Sequence, residues 1–198
     1  HITRTDRYGV TRFREVITTD LTFPKNKEET SDFIYDGGKL RPLNKFEQDA
    51  VIEGLIMVGN TEMLLAFLLA LFSGMRIQTV LTIRIGNVID AYANDIATYP
   101  IKAGEGSLVD TKYGKRQNIQ VPGWVHHRLF TYLQSERYQG RKKQALERDE
   151  TEQYIFLSRS GKPLYVSQLD KHKYKNHEKG SAVRKFMRDT LLPLDRKS

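Results

Sequence analysis

Ten consecutive apolar residues, Met63 to Phe72, lie between Gly59-Asn60 and Gly74. A helix apolar on every side has no face to give to water, so it must be the buried centre of a layer that other elements cover. The run is far shorter than the ~20 residues that span a bilayer, and the N-terminus carries no apolar signal core. Gly59-Asn60 ends a preceding helix, Thr61 is placed to cap the apolar one, and Gly74 breaks it. The preceding helix opens at Asn44, which with Glu47 forms a capping-box variant. Phe46, Val51, Ile52, Leu55 and Ile56 then recur at helical spacing.

Beyond Gly74 the texture changes twice. Arg76 to Leu81 reads as a further turn or helix. Thr98 to Ile101, Ser107 to Thr111 and Gln117 to Val121 read as three short strands, joined through Ala103-Gly104-Glu105-Gly106 and Tyr113-Gly114-Lys115. Glycine at both connections is what antiparallel turns need. In the third strand Ile119 and Val121 alternate with Asn118 and Gln120. Helical spacing returns from Trp124 to Arg137 through Val125, Leu129, Phe130 and Leu133, with Arg141 to Arg148 a charged helix or its continuation. Tyr154 to Leu157 is a short buried segment, Ser158 to Lys162 a turn, and Ala182 to Leu192 an amphipathic helix. His1 to Lys39 shows no helical period. It is expected to be an arm or linker, with Val16 to Thr19 extended, and Leu40 to Ser198 the main domain.

Of 198 residues, 39% are hydrophobic and 28% charged, which is globular composition. The net charge is +8, and from Arg141 onward 15 Lys or Arg stand against 8 Asp or Glu. That balance favours an anionic partner, nucleic acid before an acidic membrane surface, for which a long basic amphipathic helix is lacking. Lys171, Lys173, Lys175 and Lys179 interleave with Tyr174 and two histidines, which fits either a loop tracking phosphates or a solvated basic loop. There is no cysteine, so no disulfide or thiolate metal site is possible, in keeping with a reducing cytosol. No His pair stands at i, i+4 beside a Glu, so no metal or other cofactor is expected.

Two segments carry chemistry. In L-F-S-G-M-R-I-Q-T-V-L, Leu71 to Leu81, a buried helix stops at a glycine and presents Arg76 at a sharp corner. Arginine is permanently charged and offers a planar fork of donors that suits a phosphate. Alone, the motif fits an ordinary surface arginine equally well. In T-K-Y-G-K-R-Q-N-I-Q-V-P, Thr111 to Pro122, a hairpin tip carries Lys112 with Lys115 and Arg116 beside it. A lysine there can enter a DNA groove and give a proton to a leaving alkoxide, although hairpin tips are often basic for solubility.

Taken together and in order, these segments resemble the tyrosine recombinases (phage-integrase family). S-G-M-R-I-Q-T-V-L is similar to that family's first active-site box, where G-L-R-I or G-M-R-I follows a buried helix. T-K-Y-G-K-R-Q-N-I-Q-V-P is similar to its T-K-x-G-K hairpin with a strand ending V-P. Y-I-F-L-S-R-S-G-K-P-L, Tyr154 to Leu164, resembles its F-x-S-R-x-G-K-P-L segment, and L-R-P-L-N-K-F-E its opening helix. The resemblance implies an α+β, mainly helical catalytic core with a small three-stranded antiparallel sheet. It implies metal-free cleavage of one strand of double-stranded DNA at a time through a 3′-phosphotyrosine, by a bacterial or phage-encoded cytoplasmic enzyme acting as a tetramer on DNA. Arg76 would match the first catalytic arginine, on non-bridging phosphate oxygens, and Lys112 the general acid for the 5′-hydroxyl. Lys115, Arg116, Arg159, Lys162 and Lys173 are the expected DNA contacts.

Three departures qualify that expectation. No H-x-x-R spacing follows the hairpin, where the family's second box belongs, so no nucleophilic tyrosine can be assigned after it, and Thr79 stands where the family has an acid three residues after the first arginine. Among the ten tyrosines Tyr174 is the most tempting, but packing or stacking suits it better. The chain begins with His1 rather than Met, and truncation before the second box is the simplest account. A monomeric piece that binds duplex DNA weakly, with a steep salt dependence, and does not cleave it is then expected. The alternative is a non-catalytic DNA-binding protein on the recombinase scaffold. A type IB topoisomerase relative fits the small size and the hairpin less well.

Overall fold

The computed structural model describes residues 2–5, 11–14, 34–35, 39–89, 97–147 and 149–195, and the chain divides into two units, His1–Pro42 and Leu43–Ser198. Among its described residues the first unit holds two antiparallel strand pairs. β1 (Ile2–Thr5) pairs with β2 (Thr11–Arg14), Ile2 facing Arg14, and β3 (Ile34–Tyr35) pairs with β4 (Lys39–Leu40). The extended run expected at Val16 to Thr19 lies outside the described residues.

The second unit is mainly helical, with a two-stranded antiparallel sheet. α1 (Lys45–Val58) starts with the expected reciprocal cap: Asn44 Oδ1 accepts from the Glu47 amide at 2.9 Å and Glu47 Oε2 from the Asn44 amide at 2.9 Å. Gly59 closes it at φ 67°. The apolar run forms α2 (Thr61–Ser73), with Met63, Leu65, Ala66, Leu68 and Leu69 buried. Its cap is Asn60, whose side chain accepts from the Met63 amide at 3.2 Å, and not Thr61, which is already inside the first turn. α3 (Ile77–Leu81) and α4 (Gly86–Ile89) follow. β5 (Thr98–Ala103) pairs with β6 (Gln117–Pro122), Tyr99 against Val121 and Ile101 against Ile119. Tyr99, Ile101 and Ala103 face inward and Thr98, Pro100 and Lys102 outward, the period of two that one covered face imposes. α5 (Gly123–Gln134) packs on α2 and on α6 (Glu136–Gln144). Tyr154, Ile155, Phe156 and Leu157 are completely buried. The last helical stretch is not one α-helix: α7 (Ser181–Phe186) runs through a π-helical turn, Met187–Leu191, into α8 (Leu192–Asp195).

The middle strand expected at 107–111 is a loop, so among the described residues this sheet has two strands. Here the backbone is satisfied locally. Ser107 Oγ donates to Gly104 O at 2.9 Å and accepts from the Val109 amide at 3.2 Å, while the Gly104 amide donates to Val109 O at 2.7 Å. A serine that bonds its own neighbours competes directly with a strand ladder. Gly104 sits at φ 96°, where a Cβ would lie 2.3 Å from the Lys115 carbonyl oxygen. Only glycine lets β5 turn this close to the segment around Lys115.

Two polar locks join distant parts of the core. At the start of α2, the buried Glu62 accepts from Arg137 Nε at 2.7 Å, Arg137 Nη2 at 2.8 Å and the Tyr132 hydroxyl at 3.0 Å, and pairs with Arg141 at 3.0 Å. Burial pushes its carboxyl up, but the Arg137 hydrogen bonds and the Arg141 charge outweigh this and hold it below the usual range. In the second lock Arg84, 2% exposed, donates to Asp170 at 2.7 Å, Ser167 Oγ at 3.0 Å and the Glu152 carbonyl at 2.9 Å, with its guanidinium 3.4 Å from the Tyr154 ring centroid. Tyr154 donates its hydroxyl to Asp170 at 2.8 Å. Burial raises the Asp170 carboxyl, yet Tyr154 and Arg84 bring it down to about 2.

His126 is 1% exposed and stacked on Tyr99, ring centroids 4.2 Å apart, with Nε2 buried and unpartnered. Burial lowers its pKa, and backbone contacts at Asn87 and Val88 oppose this only in part. The sign is fixed: below the ordinary value near ~6.5 the unfolded chain takes up a proton that the fold resists, so stability falls as the pH falls. Urea midpoints are expected to be lower at pH 5.5 than at pH 7.5, and His126→Phe to remove most of that difference. An equal difference in the variant would refute the assignment. Glu62 and Asp170 add a second loss at lower pH, below the ordinary carboxylate range near ~4.

Candidate nucleic-acid interface

The corner that carries Arg76 is built by three neighbours. Gly74 ends α2 at φ 68°, its amide donating to Ala70 O at 3.1 Å, and Met75, 5% exposed, anchors the turn in the core. Arg76 is then extended, φ −70° and ψ 153°, exposed, and at the cap position of α3. The segment ahead of Lys112 is tied to this same helix. The Asp110 amide donates to Thr82 Oγ1 at 2.9 Å and Gln78 Nε2 to Asp110 Oδ2 at 3.3 Å. Lys112, Tyr113 and Gly114 form a tight turn, braced by Thr111 Oγ1 on the Lys115 carbonyl at 2.6 Å and by the Glu105 amide on the Gly114 carbonyl at 2.8 Å.

These ties bring the two motifs together. Arg76, Lys112 and Lys115 line one open cleft of about 670 Å³, with Phe72, Thr79 and the β6 face from Gln117 to Gln120. Among the described lining residues are three cations, several neutral donors and acceptors, and no carboxylate. Such a surface attracts a polyanion and can bond it through fixed forks and amides. Thr79, 3% exposed, lies in the cleft wall as a neutral group.

The other expected contacts fall elsewhere. Arg116 pairs with Glu105 at 3.5 Å, both largely exposed. Arg159 and Lys162 are exposed on the turn closed by the Ser158 amide on the Lys162 carbonyl at 2.7 Å, with Gly161 at φ 72°. Neither lines the cleft. Lys173 is held by this chain's own carboxylates, Glu147 at 2.7 Å, Asp170 at 3.1 Å and Glu152 at 3.9 Å. The Glu147 hydrogen bond is the main cause of its raised pKa. Tyr174 is half-buried with its ring edge-on to Tyr154, and burial pushes its hydroxyl up to about 12, a packing environment that disfavours the phenolate. Gln78, Thr82 and Asp110, which position the lysine turn, had no signature in the sequence. Asn118 and Gln120 were visible as the polar half of a period-two pattern.

Among the described residues no three His, Asp or Glu side chains converge as a metal site, and no helix is long and apolar enough to cross a membrane. No family model and no curated protein matches the chain. It is similar to the crystal structure of XerH site-specific recombinase bound to palindromic difH substrate, a post-cleavage complex, at 18% identity and TM-score 0.44, over 82% of this chain and 45% of that one. It is also similar to XerH bound to difH substrate in a pre-cleavage complex, at 16% identity and TM-score 0.42, over 79% of this chain and 44% of that one. The chain thus matches less than half the length of these structures.

Proposed function

We propose that this chain forms part of the catalytic domain of a tyrosine-recombinase-type DNA strand-exchange enzyme, and that the cleft receives the phosphate backbone of duplex DNA. In this reading Arg76 bonds non-bridging oxygens of the scissile phosphate, neutralising charge that builds on phosphorus. Lys112 gives its proton to the leaving 5′-hydroxyl, and Lys115 holds a neighbouring phosphate. Arg116, Arg159 and Lys162 supply further contacts along the backbone. One observation carries the reading: two residues singled out from separate motifs, each ambiguous alone, meet in a single cationic cleft. The one H-x-x-R spacing, His1 to Arg4, lies ahead of Arg76, and none follows the Lys112 hairpin, so the chain by itself is assigned binding. The covalent step, and assembly as a tetramer, belong to the whole parent.

Fluorescence anisotropy with a labelled duplex tests this. The chain is expected to bind in the ~10⁻⁴–10⁻⁶ M range typical of non-specific contacts at physiological salt, with affinity falling steeply as salt rises. Arg76→Ala and Lys112→Ala should each weaken binding and reduce the log–log salt slope by about 1. Binding that ignores both substitutions would overturn the assignment. The neutral Thr79 in the cleft wall favours a second reading, a DNA-binding scaffold without catalysis. A parent that binds DNA and forms no covalent adduct would select it.

A further inference from the structure

We infer that Tyr113 is a base-stacking residue, its ring taking the face of an unpaired or unstacked base while Lys112 and Lys115 hold the flanking phosphates. The inference rests on the DNA reading above. Among the described residues Tyr113 is the non-glycine residue at positive φ, 62° with ψ 22°. A Cβ makes this region unfavourable, and an aromatic side chain gains nothing there that glycine would not give more cheaply. Nor does the ring stabilise the fold: it is 93% exposed, against 82% for Phe46 and 79% for Met57. The turn is held by backbone and Thr111 contacts, Gly114 N to Thr111 O at 3.2 Å and Thr111 Oγ1 to Lys115 O at 2.6 Å. The tyrosine is thus carried by the turn rather than needed by it.

Its neighbours indicate what it meets. Lys112 Nζ lies 5.4 Å from the ring centroid, and both Lys112 and Lys115 line the cleft on either side of it in sequence. An exposed π-face, flanked in sequence by two cations whose cleft has no carboxylate among its described lining residues, matches a polymer of anionic links and flat rings. Binding proteins for unstacked nucleic acid combine the same two elements, a cationic track and an aromatic platform. In intact duplex a base must first leave the stack, whereas an unpaired base offers its face without that cost.

The test compares a 30-base-pair duplex with the same duplex carrying one unpaired adenine, using the 198-residue chain and its Tyr113→Phe and Tyr113→Gly variants. The wild type and Tyr113→Phe should bind the bulged duplex about tenfold more tightly than the intact one, the scale of a single stacking contact. Tyr113→Gly should melt no lower than the wild type, because glycine suits the positive φ. It should bind both duplexes alike, at the wild-type affinity for the intact one. A glycine variant that keeps the preference, or a wild type that has none, overturns the inference while leaving the DNA reading standing. A wild type that binds neither duplex overturns both.

Discussion

Glu62→Ala is expected to lower the unfolding free energy by about 3–5 kcal/mol, the cost typical of removing one partner from a buried ion pair. The carboxylate is 2% exposed and serves three donors: Arg137, Arg141 and the Tyr132 hydroxyl. Arg137, whose side chain is 46% exposed, can turn to water, but Arg141 at 12% cannot do so without disturbing α6. Tyr132, 4% exposed, loses the acceptor for its hydroxyl. Glu62 also lies in the first turn of α2, where a negative charge gains about 0.3–1 kcal/mol from the helix dipole. Against a typical total of roughly 5–15 kcal/mol the loss is large. It corresponds to a melting-point drop on the order of 10 °C for a domain of this size. Urea denaturation should show a lower midpoint at unchanged slope. An unmoved midpoint would mean the lock is dispensable.

Arg84→Ala is expected to cost a similar ~3–5 kcal/mol, for the reciprocal reason that it strands a buried anion. Asp170 would keep the Tyr154 hydroxyl at 2.8 Å and Lys173 at 3.1 Å but lose the guanidinium at 2.7 Å. The Glu152 carbonyl and Ser167 hydroxyl would lose a donor as well. The loop around Ser167 and Asp170 is fastened to the 151–155 segment through these bonds, so its protection against amide exchange should fall most. Replacing Arg84 by Met and Asp170 by Leu together should cost clearly less than the sum of the two single losses, because no unpaired charge remains. Strict additivity of the two would show that they do not act as a pair.

These locks were the part of the molecule least legible in the sequence, and the reason is separation. Glu62 meets Arg137 75 positions away and Arg84 meets Asp170 86 positions away, distances at which no periodicity carries information. A glutamate before an apolar run reads only as a first-turn residue. Local signals were readable: the Asn44–Glu47 cap, the glycine ends of α1 and α2, the burial of 154–157 and the alternation in β6. Where a side chain competed with the backbone, pattern failed. Ser107 satisfies the loop that composition presented as a strand, and Asn60 takes the cap position that Thr61 was expected to fill. For the cleft, Arg76 was legible in one motif and Lys112 with Lys115 in another. Their convergence depends on the Thr82, Gln78 and Asp110 contacts, which have no motif. Lys173 shows the converse: its place in a basic run concealed three carboxylate partners.

The claim that DNA occupies the cleft between Arg76 and the lysine turn is tested most directly by amide hydrogen exchange of the chain with and without a duplex, read by mass spectrometry. Protection on binding should concentrate in the peptides that carry residues 73–78 and 111–120, and should be lost in the Arg76→Ala, Lys112→Ala double variant. Protection confined to the 158–162 turn or the 171–179 loop, with none at the cleft, would contradict the account.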